Sequence, residues 1–189
     1  MKRWFIILAA VAAVNLAVAA EVGGVKFDDK VRLGNAELSL NGAGIRKKAV
    51  FKVYALALYL PEKRETADAA LALKGTKRIS IQLLRDLSAT QFVEALQDGL
   101  TNNHSPAEMA LLKDRLKQFS DTLLAIGEAR SGSVLNIDWL PDSGTRLLVN
   151  GQSKGKDIAG EDFYKALLKI WLGGKPVQDD LKQALLNKG

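Results

Sequence analysis

The chain has 189 residues, 48% of them hydrophobic, with no cysteine, one histidine and a formal net charge of +6. That length supports one ordinary domain with a sizeable core. The missing cysteines exclude disulfides, thiolate nucleophiles and zinc–thiolate sites together, and a single histidine leaves little for a metal centre.

Lys2 and Arg3 precede an apolar run from Trp4 to Leu16, and Ala17-Val18-Ala19 supplies a small-residue cleavage pattern before Glu21. Residues 1–19 are therefore expected to be a signal peptide, cut after Ala19 or Ala20, with one domain over 21–189. The apolar run is short for a bilayer span. No integral membrane segment is expected after cleavage, and without a cysteine at the cut lipoprotein processing is excluded. A disulfide-free exported chain of this size suits a bacterial periplasm. Removing Lys2 and Arg3 leaves 25 basic against 21 acidic residues. The pairs Lys47-Lys48, Lys63-Arg64 and Lys77-Arg78 lack the aromatic interleaving of a nucleic-acid surface and are expected as solvated strand ends.

Strands are predicted around Lys30–Leu33 and over Glu37–Leu40, the second leading into Asn41-Gly42-Ala43-Gly44. Two glycines there permit a tight turn and close backbone approach. Arg46 follows, and Ala49 to Leu60 reads as a long strand ending at Pro61. Alternation puts Ala55, Ala57 and Tyr59 on one face and Tyr54, Leu56, Leu58 and Leu60 on the other. Both faces are apolar, as in a central strand covered on both sides. Thr66 caps a short helix through Leu73. Lys77 to Arg85 reads as a half-buried strand with Ile79, Ile81 and Leu83 inward.

Two capping boxes follow, Ser88 with Gln91 and Ser105 with Glu108, the second with Pro106 at the first helical position. Phe92, Ala95, Leu96, Gly99 and Leu100 share one face of the first helix. Met109, Leu112, Leu116, Phe119, Leu123 and Ile126 share one face of the second. Ser133–Leu140 and Thr145–Asn150 form a hairpin about Pro141-Asp142-Ser143-Gly144, followed by a turn and a short strand to Ile158. Gly160 opens a helix with inner residues Phe163, Ala166, Leu167, Ile170 and Trp171, and Asp179-Asp180 starts a last one through Leu186. The pattern is an α+β layer architecture in one domain.

His104 has no nucleophile or second ligand at recognisable spacing, and no dinucleotide or phosphate-loop motif occurs. No cofactor and no metal are expected. Trp139 and Trp171 read as core anchors, Trp171 with pocket lining as its second use. Arg46, beside an apolar sheet face that also carries Tyr54, suits the anionic or carbonyl end of a greasy ligand. Capping a turn or pairing with a surface carboxylate is the commoner use of such an arginine.

Two stretches, Leu40-Asn41-Gly42-Ala43-Gly44-Ile45-Arg46 running on to Lys52-Val53-Tyr54-Ala55-Leu56-Ala57-Leu58-Tyr59-Leu60, and Ile170-Trp171-Leu172-Gly173-Gly174-Lys175-Pro176-Val177, resemble the chalcone isomerase family, in particular its bacterial isomerase-like branch. The resemblance implies an open-faced β-sandwich, a large antiparallel sheet with a helical layer on one face and a ligand cleft between. It matches Arg46 to the arginine that polarises substrate in the enzymes. The enzymes' other polar positions fall at Tyr54, at Phe92, at about Gly99 and at about Ile170, three of which cannot hydrogen-bond through a side chain. Donor arrays supply most of such catalysis, so the resemblance implies a non-catalytic periplasmic binder of a fatty-acid-like molecule. Its ligand-binding residues would be Arg46, Tyr54, Phe92, Leu96 and Trp171. The alternatives are an intramolecular lyase or isomerase acting on an enone and a ligand-free accessory protein acting through a partner.

Overall fold

The computed structural model describes residues 20–187; the expected signal peptide lies outside them. Seven strands form the main sheet: β3 (Lys30–Leu33), β4 (Ala36–Lys48), β5 (Phe51–Leu60), β6 (Lys77–Leu83), β9 (Val134–Leu140), β10 (Gly144–Val149) and β11 (Gln152–Ile158). Their order across the sheet is the chain order, with antiparallel neighbours throughout. Short ribbons flank it, β1 (Ala20–Val22) with β2 (Val25–Phe27), and β7 (Leu87–Ser88) with β8 (Glu128–Ala129). The helices are α1 (Ala67–Ala72), α2 (Ala89–Asn103), α3 (Pro106–Leu124), α4 (Glu161–Leu172) and α5 (Asp179–Leu185).

Alternation along β5 divides the core. Leu56, Leu58 and Leu60 join the main cluster with Leu96, Leu100, Phe163 and Trp171 from the helices. Ala55, Ala57 and Tyr59 meet Val25, Phe27, Leu38 and Leu40 on the opposite face. Helices therefore cover one face and the β1–β2 ribbon covers part of the other, the layer arrangement expected. Both capping boxes form, and Thr66 accepts from the Ala69 amide.

Several local expectations need correction. Asn41-Gly42-Ala43-Gly44 is not a turn; it lies inside β4, which runs unbroken through the predicted Glu37–Leu40 strand to Lys48. The glycines serve close approach instead. A Cβ at Gly42 would lie 2.1 Å from the Ala184 carbonyl oxygen, and one at Gly44 would lie 2.8 Å from Leu181 Cδ1, so α5 rests directly on the strand. The reversal comes at Ala49-Val50, with Ala49 at φ 53°, so β5 starts at Phe51 rather than Ala49. The Lys77-Arg78 pair is not a solvated strand end either. Lys77 is buried beside Glu161, and Arg78 makes two 2.7 Å bonds to the buried Asp138 carboxylate. The segment to Ile158 is a full edge strand of seven residues, and the two flanking ribbons are too short to show as periodicity.

Candidate functional site

Arg46 lies opposite Tyr54 in the β4–β5 register. Next to this pair the register slips, because Lys47 pairs with Lys52 and leaves Val53 as an extra residue. Such a bulge bends the strand and re-aims its side chains. The Val53 carbonyl is taken by the Leu84 amide at 3.0 Å. Arg46 shares its strand face with Gly42 and Gly44, which α5 covers, so the guanidinium sits at the rim of the helical layer and is half-buried.

Its partners are neutral oxygens. Nη1 donates to the Lys47 carbonyl and to Gln178 Oε1, the second at 3.2 Å. Gln178 also accepts from the Lys47 amide at 2.7 Å and donates through Nε2 to the Ile45 carbonyl at 2.9 Å. One amide side chain thus pins the start of α5 to β4 on either side of Arg46. Neither capping of a turn nor pairing with a carboxylate describes the arrangement.

Deeper in, Trp171 Nε1 donates to the Tyr54 hydroxyl at 2.9 Å. The phenol is thereby an acceptor from Trp171 and keeps its own O–H to donate. Burial raises its pKa; the Trp171 bond and the nearby Arg46 charge pull the other way more weakly. It is a neutral hydrogen-bond donor at physiological pH, not a base.

Leu96 is buried and Phe92 packs half-buried against the same cluster. Both lie on the side of α2 that turns toward α4, where a Cβ on Gly99 would stand 2.8 Å from Ile170 Cγ2. The two positions at which the resemblance expects polar side chains are therefore one apolar interlock, the isoleucine occupying the space that the glycine vacates. Asn103, one turn beyond Gly99, holds the loop after α4 by donating to the Gly99 and Lys175 carbonyls and accepting from the Lys175 amide. Of the five expected site residues, the structure joins Arg46 to Tyr54 by register and Tyr54 to Trp171 by hydrogen bond, and puts Phe92 and Leu96 in the adjoining core.

Gln178 was not expected. Its only sequence sign is its place just beyond the Gly-Gly-Lys-Pro-Val stretch. His104 caps the end of α2, its Nδ1 2.9 Å from the Leu100 carbonyl. Asp180 bonds its own neighbour's amide, that of Leu181, at 3.0 Å. Trp139 packs on Tyr164 in the core at 6.2 Å.

Two grooves lie away from these residues. A groove of about 1080 Å³ lies between α3 and the β10–β11 hairpin, and another of about 550 Å³ lies between β3–β4 and the end of α5. None of the five residues lines either one. Between sheet and helices the site is filled by its own indole and isoleucine.

Sheet, helical layer and the arginine on the central hairpin together define an open-faced sandwich. The same fold is found in a crystal structure of a fatty-acid binding protein of Arabidopsis thaliana, with a TM-score of 0.69 and 15% identity over 87% of this chain and 92% of that one. The chalcone isomerase-like family model matches residues 19–187, and the chain belongs to that family. No curated protein matches it. Among the described residues no helix is long and apolar enough to cross a membrane.

Proposed function

We propose that this chain is a non-catalytic binding protein for a hydrophobic small molecule with an anionic or carbonyl head, of fatty-acid type. The observation that carries this is Arg46. It is half-buried at the rim of an apolar interior, held by neutral oxygens, and next to a phenol with a donor to spare. A guanidinium so placed retains its charge for a carboxylate. The tail would lie along Phe92, Leu96 and Trp171, reached when Trp171 swings from Tyr54. A fatty-acid binding protein of the same fold supports this reading.

Intramolecular lyase chemistry is disfavoured by the Gly99–Ile170 interlock and by Phe92, which remove donors from the place where an enolate would need them. The accessory-protein reading has one observation in its favour, the self-filled site. We place the protein in a bacterial periplasm after removal of residues 1–19, on the strength of the charged, apolar and small-residue pattern of that segment.

Native mass spectrometry of gently purified protein, followed by denaturing extraction, separates these readings. A stoichiometric fatty acid or similar amphiphile that Arg46→Ala loses is the expected result. A protein that stays free of lipid and does not take up added palmitate would overturn the binding reading in favour of the accessory one.

A further inference from the structure

The β4–β5 hairpin projects a tip that the core does not use. Val50 is 89% exposed and Phe51 57% exposed, two of the four most exposed large hydrophobic residues among those described. Around them stand Lys47, Lys48 and Lys52, all exposed, and Arg85, whose guanidinium carbon lies 5.1 Å from the Phe51 ring centroid. No carboxylate occurs in the sequence between Glu37 and Glu62. The ion pairs among the described residues engage other cations. The nearest acidic side chains along the flanking segments are Asp86, next to Arg85, and Asp179 and Asp180, which follow the Gln178 that bonds the Lys47 amide. Asp86 is occupied by the Ser131 amide and Asp180 by that of Leu181.

We infer that this tip docks on an anionic lipid bilayer, Val50 and Phe51 entering the interface while Lys47, Lys48, Lys52 and Arg85 meet lipid phosphates. The shape decides for a bilayer against a protein groove. Two apolar side chains stand at the end of a projecting ribbon, with cations behind them on both strands, the pattern by which peripheral proteins combine shallow insertion with charge attraction. Arg85 holds the phenyl ring by a cation–π contact and brings its charge to the same depth. The tip also adjoins the candidate head-group site. Arg46 is two residues along β4 from Lys48, about 7 Å at the rise of an antiparallel strand. A docked tip therefore sets Arg46 close to the phosphate level, where an amphiphile leaving the bilayer would present its head. This last step rests on the proposed function; the docking does not.

The test is co-sedimentation of the purified chain with vesicles of phosphatidylcholine containing ~30% phosphatidylglycerol, against pure phosphatidylcholine. Binding to the anionic vesicles that weakens with salt is expected. Val50→Ser/Phe51→Ser and Lys47→Gln/Lys48→Gln/Lys52→Gln should each lower the partition coefficient about tenfold or more. A Phe51→Trp variant should show blue-shifted emission that brominated lipid quenches. Absence of binding, or binding unchanged by Val50→Ser/Phe51→Ser, would overturn the proposal. So would a lipid-free dimer that the same variant dissociates, since a second copy would then cover the tip. Palmitate binding measured without vesicles distinguishes the two readings. It should be unchanged in Val50→Ser/Phe51→Ser, and its absence in the unmodified chain would refute fatty-acid binding while leaving the vesicle result standing.

Discussion

Replacing Gly42 with alanine should damage the fold far more than the same change at Gly44. A methyl group at 42 would meet backbone, lying 2.1 Å from the Ala184 oxygen, 2.7 Å from the Leu185 oxygen and 2.8 Å from the Leu185 carbonyl carbon. A helix backbone has no rotamer to change, so α5 must lift. Overpacking that side chains can absorb costs about 1–3 kcal/mol, and this case belongs at or beyond the top of that range. Lifting α5 also breaks the 2.6 Å bond from Asn41 Nδ2 to the Leu185 carbonyl, adding about 1 kcal/mol. The sum is about 4 kcal/mol, or about 3 kcal/mol once relief of the glycine's own strand penalty, about 0.5–1 kcal/mol, is allowed for. At Gly44 the obstacles are milder: Leu181 Cδ1 at 2.8 Å, the end of a side chain that can rotate, and Ala184 Cβ at 3.0 Å, which needs a shift of only a few tenths of an ångström. Relief of the glycine's strand penalty, about 0.5–1 kcal/mol, offsets most of that cost, leaving a net loss of about 1 kcal/mol or less. Urea denaturation followed by tryptophan fluorescence measures both. A Gly42→Ala loss below about 1 kcal/mol, or equal losses at the two positions, would refute the claim that these glycines exist for helix contact.

Trp171→Phe removes the donor to Tyr54 and should cost about 2–3 kcal/mol; Tyr54→Phe/Trp171→Phe should cost less than the two single losses added, as a double-mutant cycle by denaturation would show. Asp157 and Asp162 are held below the ordinary carboxylate range chiefly by hydrogen bonds from Arg146 and Arg115. Their folded pKa values lie below the unfolded ones, so the stabilisation is full above about pH 4 and disappears as pH falls through the folded values. Melting temperature should drop steeply below that point, and less steeply in Asp157→Asn. Ala49→Gly relieves an alanine held at φ 53° and should stabilise by about 0.5–1 kcal/mol, which thermal melting would register.

What the sequence displayed were patterns with a local cause. The β5 alternation, the two capping boxes and the inner face of α4 are each written within a dozen residues, and each formed as expected. Arg46 and Tyr54 could be singled out beside one apolar strand, but that they face each other across β4 and β5 came from the register. The errors share a different origin. Gly42 and Gly44 read as a turn because glycine is commonest there, whereas their purpose comes from α5, more than 130 residues away. Lys77 read as solvent-facing because Glu161, which faces it, lies 84 residues further on. Gln178 carried no sign beyond its place after the Gly-Gly-Lys-Pro-Val stretch, its role being set by backbone atoms of β4. The Gly99–Ile170 interlock was visible as two altered residues and not as one exchange of volume, since only packing puts them together.

The order in which the chain is made gives the last helix a further significance. Asn41 bonds the Arg64 backbone nearby but donates its remaining amide hydrogen to the Leu185 carbonyl, 144 residues later, and without α5 the Gly42–Gly44 face of the central hairpin is bare. A chain emerging from its amino end can pair the strands but cannot seal them, because long-range contacts must wait for their partners. The final turn of helix thus acts as a latch. By covering Gly42 and Gly44 and bonding Asn41, α5 closes a face of the central hairpin that the strands alone leave open.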